Sequence, residues 1–447
     1  MNTPLYDFVK EYNTKNAVRL HMPGHKGKIA ALESGFDITE IDGADVLYNE
    51  KGILKESQKN ASDIFGTYKT LYSAEGSSLS IRAMLSLIKM YSLNARKHPL
   101  VLAGRNAHKV FMTASALLDI DVKWIFPEEK AELLSVNISP SYLEKCISDC
   151  EEMPVAVYIT SPDYLGNISD IKAMSEICDK YGIILAVDNA HGAYLRFLPE
   201  NMHPISLGAH MCCDSAHKTL PVLTGGGYLH ISEKAPALIK SHAENAMSLF
   251  SSTSPSFLIL TSLDRANEYL CNKMYEDTVK LQARICELKT RLSSVGYSVK
   301  GNEPLKLTLA AKAYGYTGDE LAELLRKDNI ECEFSDPDYI VFMFSTSTED
   351  DEINRLKNTL IGIEKRAAVT QIVSIPVLYR AMSVKDALFS SSEEISTAFA
   401  ENRVLASPSV SCPPAVPVAV CGERLNAEAI RCFEYYGIKK INVVKEG

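Results

Sequence analysis

Short apolar runs rich in β-branched residues recur along the first half of the chain, each bounded by turn residues. They read "PLVLAG" (99–104), "VAVYIT" (155–160), "GIILAVD" (182–188) and "GGYLHI" (226–231). Runs that are apolar throughout, rather than alternating, predict strands buried on both faces of a parallel sheet. Between them the spacing changes to that of a helix: Ile81, Met84, Leu85 and Ile88 share one face, as do Ile171, Met174 and Ile177. The central region is therefore expected to be α/β.

A different rhythm begins near residue 300. Thr317 and Glu320 form a capping-box pattern ahead of "ELAELLRKDN", the stretches "IECEF" (330–334) and "YIVFMF" (339–344) predict strands, and Ile353, Leu356, Leu360 and Ile363 predict one more helix. This is the pattern of a small α+β domain. The proline-rich piece at 407–423, "SPSVSCPPAVPVAVCGE", predicts loop or extended chain, because proline lacks an amide donor. The expected division is an N-terminal arm (1–50), a large domain (51–300) and a small C-terminal domain (301–447).

Composition narrows the function classes. Of 447 residues 46% are hydrophobic and 23% charged, an ordinary globular balance with a large core, and the net charge of −9 speaks against a nucleic-acid partner while favouring cationic ligands. Charged residues through the first twenty positions and no apolar run near 20 residues predict a cytoplasmic protein without a membrane span. The eleven cysteines form no CxxC pair and have no matching histidine spacing, so neither a metal site nor a disulfide framework is expected.

Candidate chemistry gathers at the strand ends. In "CDSAHKTLPVLTGGG" Lys218 follows His217, an amine beside a proton carrier, which is what imine formation requires. Asp188 closes a buried strand, where the ligand sites of open parallel sheets lie, and can pair with a protonated pyridine nitrogen. Gly76, Ser77 and Ser78 open an amphipathic helix whose free amides and hydroxyls favour an anion. His108 stands just beyond another strand, placed to stack on a planar ring.

With those residues in place the chain resembles the ornithine/lysine/arginine decarboxylases, fold-type I pyridoxal phosphate enzymes, in a short form lacking an N-terminal wing domain. The resemblance rests on ordered landmarks over residues 20–265: "HMPGHKG" (21–27), "EIDGADVLYNEKG" (40–52), "EGSS" (75–78), "GRNAHK" (104–109), "ITSPDYLGNISDI" (159–171), "VDNAHGAY" (187–194), "DSAHKTL" (214–220) and "STSPSFLILTSLD" (252–264). It implies a mostly parallel seven-stranded sheet in the large domain and pyridoxal 5'-phosphate joined to Lys218 as a Schiff base. It further implies that Ser77, Ser78, Ser215 and His217 bind the phosphate, that His108 stacks on the ring, that Asp188 pairs with its nitrogen, and that Ala190 and His191 line its edge. Thr253 would reach the phosphate of a neighbouring subunit, making the protein a homodimer with shared sites. Glu423 would meet the distal cation of a basic amino-acid substrate.

Three departures from the family pattern stand out. Ala216 replaces a threonine, Asn189 stands where glutamate is common, and the C-terminal "PPAVPVAVCGE" keeps only Pro413, Pro414, Pro417, Gly422 and Glu423 of the usual motif. The implied reaction is decarboxylation of arginine, lysine or ornithine, with Lys218 or His217 protonating Cα. The competing readings are another fold-type I activity, such as an aminotransferase using Arg355 or Arg403 for the substrate carboxylate, and a non-catalytic homologue.

Overall fold

Seven strands, β1 (Lys69–Ser73), β2 (Leu100–Gly104), β3 (Asp121–Ile125), β4 (Ala156–Thr160), β5 (Ile184–Asp188), β6 (Met211–Asp214) and β7 (Gly227–Ile231), form one sheet in the order β1-β7-β6-β5-β4-β2-β3. The computed structural model describes residues 1–15, 17–29, 32, 34–49, 51–128, 138–370, 373, 376–411 and 417–446. Strand β7 runs antiparallel to both β1 and β6, whereas β5 with β6, and β2 with β3 and β4, are parallel. The expected mostly parallel seven-stranded sheet is thus present.

The chain divides into two compact units that interleave along the sequence: residues 1–97 with 171–279, and residues 98–170 with 280–447. In the first unit all five residues of β5 are buried, as an unbroken apolar run demands of a strand covered on both faces. The helix Gly76–Asn94 buries Leu79, Ile81, Met84, Leu85 and Ile88. Strands β1 and β6 were not singled out by the hydrophobic pattern, because "KTLYS" mixes residue types and "MCCD" is only four residues long.

In the second unit, β3 lies at one edge of the sheet and carries Asp121 and Lys123, charges that discourage further pairing at an open edge. A four-stranded antiparallel sheet follows in the order Phe334–Ser335, Tyr339–Met343, Lys306–Ala310, Ser298–Lys300. Both capping-box bonds at Thr317 and Glu320 are made, and the helix Gly318–Lys327 follows them. The strand expected over 330–334 is shorter than its composition suggests. Pairing starts at Phe334 with Val341, and residues 330–332 would have to match 343–345, of which only Met343 belongs to a strand before the turn at Ser345–Thr348. In the proline-rich piece, Ser409–Ser411 and Pro417–Val420 pair antiparallel, while residues 412–416, including Pro413 and Pro414, lie outside the described residues. A C-terminal core forms around Leu405, Val418, Leu425, Phe433 and Val443.

Candidate active site

In the first unit the ends of β5, β6 and β7 bring together residues that are far apart in sequence. Strand β6 ends at Asp214, Ser215 precedes a single helical turn, Ala216–Thr219, and this turn carries His217 and Lys218. Lys218 Nζ lies 2.9 Å from His191 Nε2, an amine and an imidazole able to exchange a proton. The carbonyl of Gly226 accepts from the His217 amide at 3.1 Å and from His217 Nδ1 at 2.8 Å. That contact commits Nδ1–H and turns the opposite nitrogen, Nε2, to whatever the ring faces.

An anion cradle is built beside this turn. The helix that starts at Gly76 runs for nineteen residues, its N-cap Glu75 makes no side-chain capping bond, and its first hydroxyls are Ser77 and Ser78. Ser215 Oγ donates to Ser77 Oγ at 2.8 Å, so the two motifs meet. Gly76 has φ +64°, a left-handed conformation that glycine adopts without strain. At Gly227 a Cβ would stand 2.9 Å from the Asp214 carbonyl oxygen and 2.9 Å from the Gly76 carbonyl carbon, so a side chain there would push the cradle apart.

Asp188, 2% exposed, is oriented by two bonds to Oδ1, from the Ala190 amide at 3.2 Å and the Cys213 thiol at 3.5 Å. Burial, the neighbouring Asp188 carboxylate and the bond to it push the Cys213 thiol well above its ordinary pKa, which keeps it a donor. Ala190 and His191 are buried beside it. Thr253 is exposed in the turn before the helix Phe257–Asn272. Ala216 is fully buried, so the missing threonine hydroxyl leaves a methyl in the core.

Sequence reasoning missed a further group here. Asp214 Oδ2 lies 3.1 Å from His203 Nε2 and 3.1 Å from His230 Nε2, and its Oδ1 accepts from Asn189 Nδ2 at 2.7 Å. The available signal was strand alternation: Cys212 and Asp214 share one face of β6, and Cys212 pairs in register with His230 on β7. Nothing in the spacing announces His203.

The second unit holds the remaining candidates. His108 caps the helix Lys109–Leu117, its Nδ1 accepting from the Val110 amide at 3.3 Å, which fixes the plane of the ring. The Arg105 guanidinium, fully buried over the rings of Trp124 and Phe126, pairs with Glu423 at 2.7 Å. The same Glu423 oxygen accepts from the Val420 amide at 2.9 Å. The two arginines considered for an aminotransferase are engaged locally: Arg355 binds the carbonyls of Asp328 and Asn329, and Arg403 binds Glu393 and the Val444 carbonyl.

The donor set of the first unit fits pyridoxal phosphate: hydroxyls and a helix N-terminus for a phosphate, an amine for an aldehyde carbon, and an oriented, buried carboxylate for a ring nitrogen. The comparisons agree. Residues 3–300 match the major domain of the Orn/Lys/Arg decarboxylases. The chain is 27% identical to an arginine decarboxylase of Bacillus subtilis, over 96% of this chain and 92% of that one. It is 29% identical to an arginine decarboxylase of Halalkalibacterium halodurans, over 94% and 90%. In fold it is similar to the lysine decarboxylase of Francisella novicida, with a TM-score of 0.81 at 15% identity over 99% of this chain and 81% of that one. A more distant likeness, TM-score 0.56, links 81% of the chain to 91% of a cysteine desulfurase from Thermococcus onnurineus. Among the described residues no helix is long and apolar enough to cross a membrane. The chain belongs to the Orn/Lys/Arg decarboxylase family and is a pyridoxal phosphate-dependent decarboxylase.

Proposed function

We propose that the substrate is a basic amino acid, arginine in the first place, converted to its amine and CO₂, and that Lys218 with His191 performs the proton transfers. Arginine is favoured because four of the relatives that align over nearly the whole chain bear that name, whereas the lysine decarboxylases support the fold. The observation that carries the site assignment is the 2.9 Å contact between Lys218 Nζ and His191 Nε2.

Pyridoxal phosphate, when bound, supplies a conjugated ring that accepts the electron pair left by the departing carboxylate. Ser77, Ser78, Ser215 and His217 would hold its phosphate, and the bond from His217 Nδ1–H to the Gly226 carbonyl would fix the plane of the imidazole. Asp188 keeps a proton on the ring nitrogen, and His108, Ala190 and His191 fix the plane of the ring. Lys218 Nζ would hold the cofactor's aldehyde carbon, and His191 Nε2, 2.9 Å away, would take and return a proton at that nitrogen. After CO₂ leaves, Lys218 Nζ delivers one proton to Cα. Net, one amino acid and one proton yield one amine and CO₂.

Two assignments extend beyond the single chain or the first unit. Thr253, exposed ahead of its helix, reaches the phosphate held by a second copy, so the working form is a homodimer with shared sites. Glu423 is assigned to the substrate's distal cation in addition to its bond with Arg105, and the Glu423→Gln variant described below separates the two roles. The direct test supplies arginine, lysine and ornithine in turn to the purified protein, measures CO₂ and identifies the amine. The expected result is an absorbance band at the visible edge that borohydride removes, as a Schiff-base cofactor requires, together with the decarboxylated amine from arginine. A band without CO₂ from any of the three substrates overturns the reaction while keeping the cofactor.

A further inference from the structure

We infer that Asp214, held by His203 and His230 and bonded to Asn189, is a positioning residue: it locks the ends of β5 and β6 together so that Asp188 and Lys218 are presented to the same cofactor. The inference rests on the cofactor site proposed above. Asp214 is the last residue of β6, four positions before Lys218, and Asn189 directly follows Asp188. Two bonds cross between the strand ends at this level, Asn189 N to the Cys213 carbonyl at 3.0 Å and Asn189 Nδ2 to Asp214 Oδ1 at 2.7 Å. Both side chains are fully buried, so breaking the bond between them would leave the Asn189 amide nitrogen and one Asp214 oxygen away from water without that partner.

The donors around Asp214 are matched to a carboxylate. A carboxylate only accepts, so His203 uses Nε2–H toward Asp214, and its Nδ1 has no hydrogen-bond partner among the described residues. His230 is tied from behind, its Nδ1 2.9 Å from Thr70 Oγ1, and burial lowers its pKa, which keeps it neutral with Nε2–H directed at Asp214. Burial alone would raise the Asp214 carboxyl, but the two imidazoles outweigh it and hold the group well below the usual carboxylate range. The carboxylate therefore receives three hydrogen bonds, two from imidazoles and one from an amide. An aspartate in place of Asn189 would face Asp214 at hydrogen-bond distance with no proton between them.

The same three side chains, His203, Asp214 and His230, are ones that can hold a metal ion, with ligating atoms within 4.8 Å of one another. The hydrogen-bond account needs no ion, and metal analysis decides between the two.

The test exchanges donor and acceptor. In Asn189→Asp two carboxylates oppose each other; in Asp214→Asn the new amide faces either the Asn189 amide or an imidazole N–H. Each single variant is expected to lose cofactor at least tenfold more readily than the wild type. In the double variant Asn189→Asp/Asp214→Asn, the amide introduced at position 214 donates to the carboxylate introduced at position 189 while its carbonyl oxygen still accepts from the imidazoles. Cofactor retention is then expected to return to within about threefold of wild type. The groups facing this pair are His203, His230, Asp188, Cys212, Cys213 and Tyr228. Of the two single substitutions, only Asn189→Asp adds a carboxyl, so its cofactor retention should improve as pH falls and the two acids share a proton, while the wild type shows no such gain.

If Asp214→Asn does not fold, the pH dependence of Asn189→Asp alone carries the test. Denaturation of the apo forms provides a separate reading: coupling between positions 189 and 214 in apo stability with unchanged cofactor retention would reduce the pair to a structural tie and overturn the inference. Additive losses in the double variant, or one equivalent of metal in the purified protein, would overturn it as well. Failure of the wild type to bind pyridoxal phosphate would instead sink the cofactor-site reading.

Discussion

Two carboxylates, Asp188 in the first unit and Glu423 in the second, are equally buried at 2% exposure, yet their surroundings differ. Asp188 Oδ1 accepts from a backbone amide and a thiol. Glu423 meets the permanent cation of Arg105 at 2.7 Å with both side chains excluded from water. Removing charges from water costs several kcal/mol per ion, and a directly paired cation is what offsets that cost. The charge of Glu423 is already engaged in holding the chain together, whatever further contact a substrate makes with it, whereas the role proposed for Asp188 lies with a group that binds. Burial and residue type alone do not distinguish the two roles.

The sharpest way to break that contrast is to remove the amine on which the first site is built. Lys218→Ala should fold, form no borohydride-sensitive band and lose at least about 10³-fold in turnover, because a Schiff base needs an amine at that place. Ordinary turnover in this variant would end the assignment. Asp188→Asn should keep its fold and midpoint of urea denaturation but lose roughly 10²–10⁴-fold in kcat, the range typical for a group that manages a proton in the reaction. A variant that lost stability instead would place Asp188 in the same class as Glu423.

Glu423→Gln should show the reverse. Leaving Arg105 buried without its counter-charge is expected to cost about 3 kcal/mol or more, read as a fall in the urea midpoint. An additional rise in KM for arginine, larger than for an uncharged analogue, would support the distal-cation contact. A rise in KM with an unchanged midpoint would show that the pair with Arg105 contributes little to the fold.

The sequence made some of this visible and hid the rest for identifiable reasons. Strands β2, β4, β5 and β7 were legible because burial on both faces forces an unbroken apolar run, and the Thr317 helix because its cap is a local pattern. Strand β3 was hidden because an edge strand alternates, and Asp121 and Lys123 interrupt its apolar character. Lys218 and Asp188 could be named from motifs. The contact of Lys218 with His191 spans 27 positions, that of His203 with Asp214 spans 11, and that of Arg105 with Glu423 spans 318. Such contacts are made by the topology of the sheet and the return of the chain, and no local spacing encodes them.

The smallest expected effect concerns another buried carboxylate, Asp336, which has neither the use proposed for Asp188 nor, among the described residues, a direct ion pair like that of Glu423. Its Oδ1 accepts from the Asp338 and Tyr339 amides at 2.7 and 2.6 Å, whereas Oδ2 has no hydrogen-bond partner among the described residues. Burial, opposed by those two bonds and reinforced by the nearby Asp338 and Asp319 carboxylates, raises its pKa to about 7. The folded protein therefore binds this proton more tightly than the unfolded chain does. The resulting stabilisation is fully present below about pH 4 and is lost as pH rises toward and through 7. Asp336→Asn keeps the oxygen that accepts from the two amides and removes the charge that the fold resists. The variant should thus match or fall slightly below the wild type near pH 4–5 and exceed it by on the order of 1–2 kcal/mol at pH 8, a shift of a few degrees in Tm. Urea denaturation of both proteins at the two pH values measures the difference, and a gap that does not change with pH would show that Asp336 is ionised in the folded state much as it is in the unfolded one.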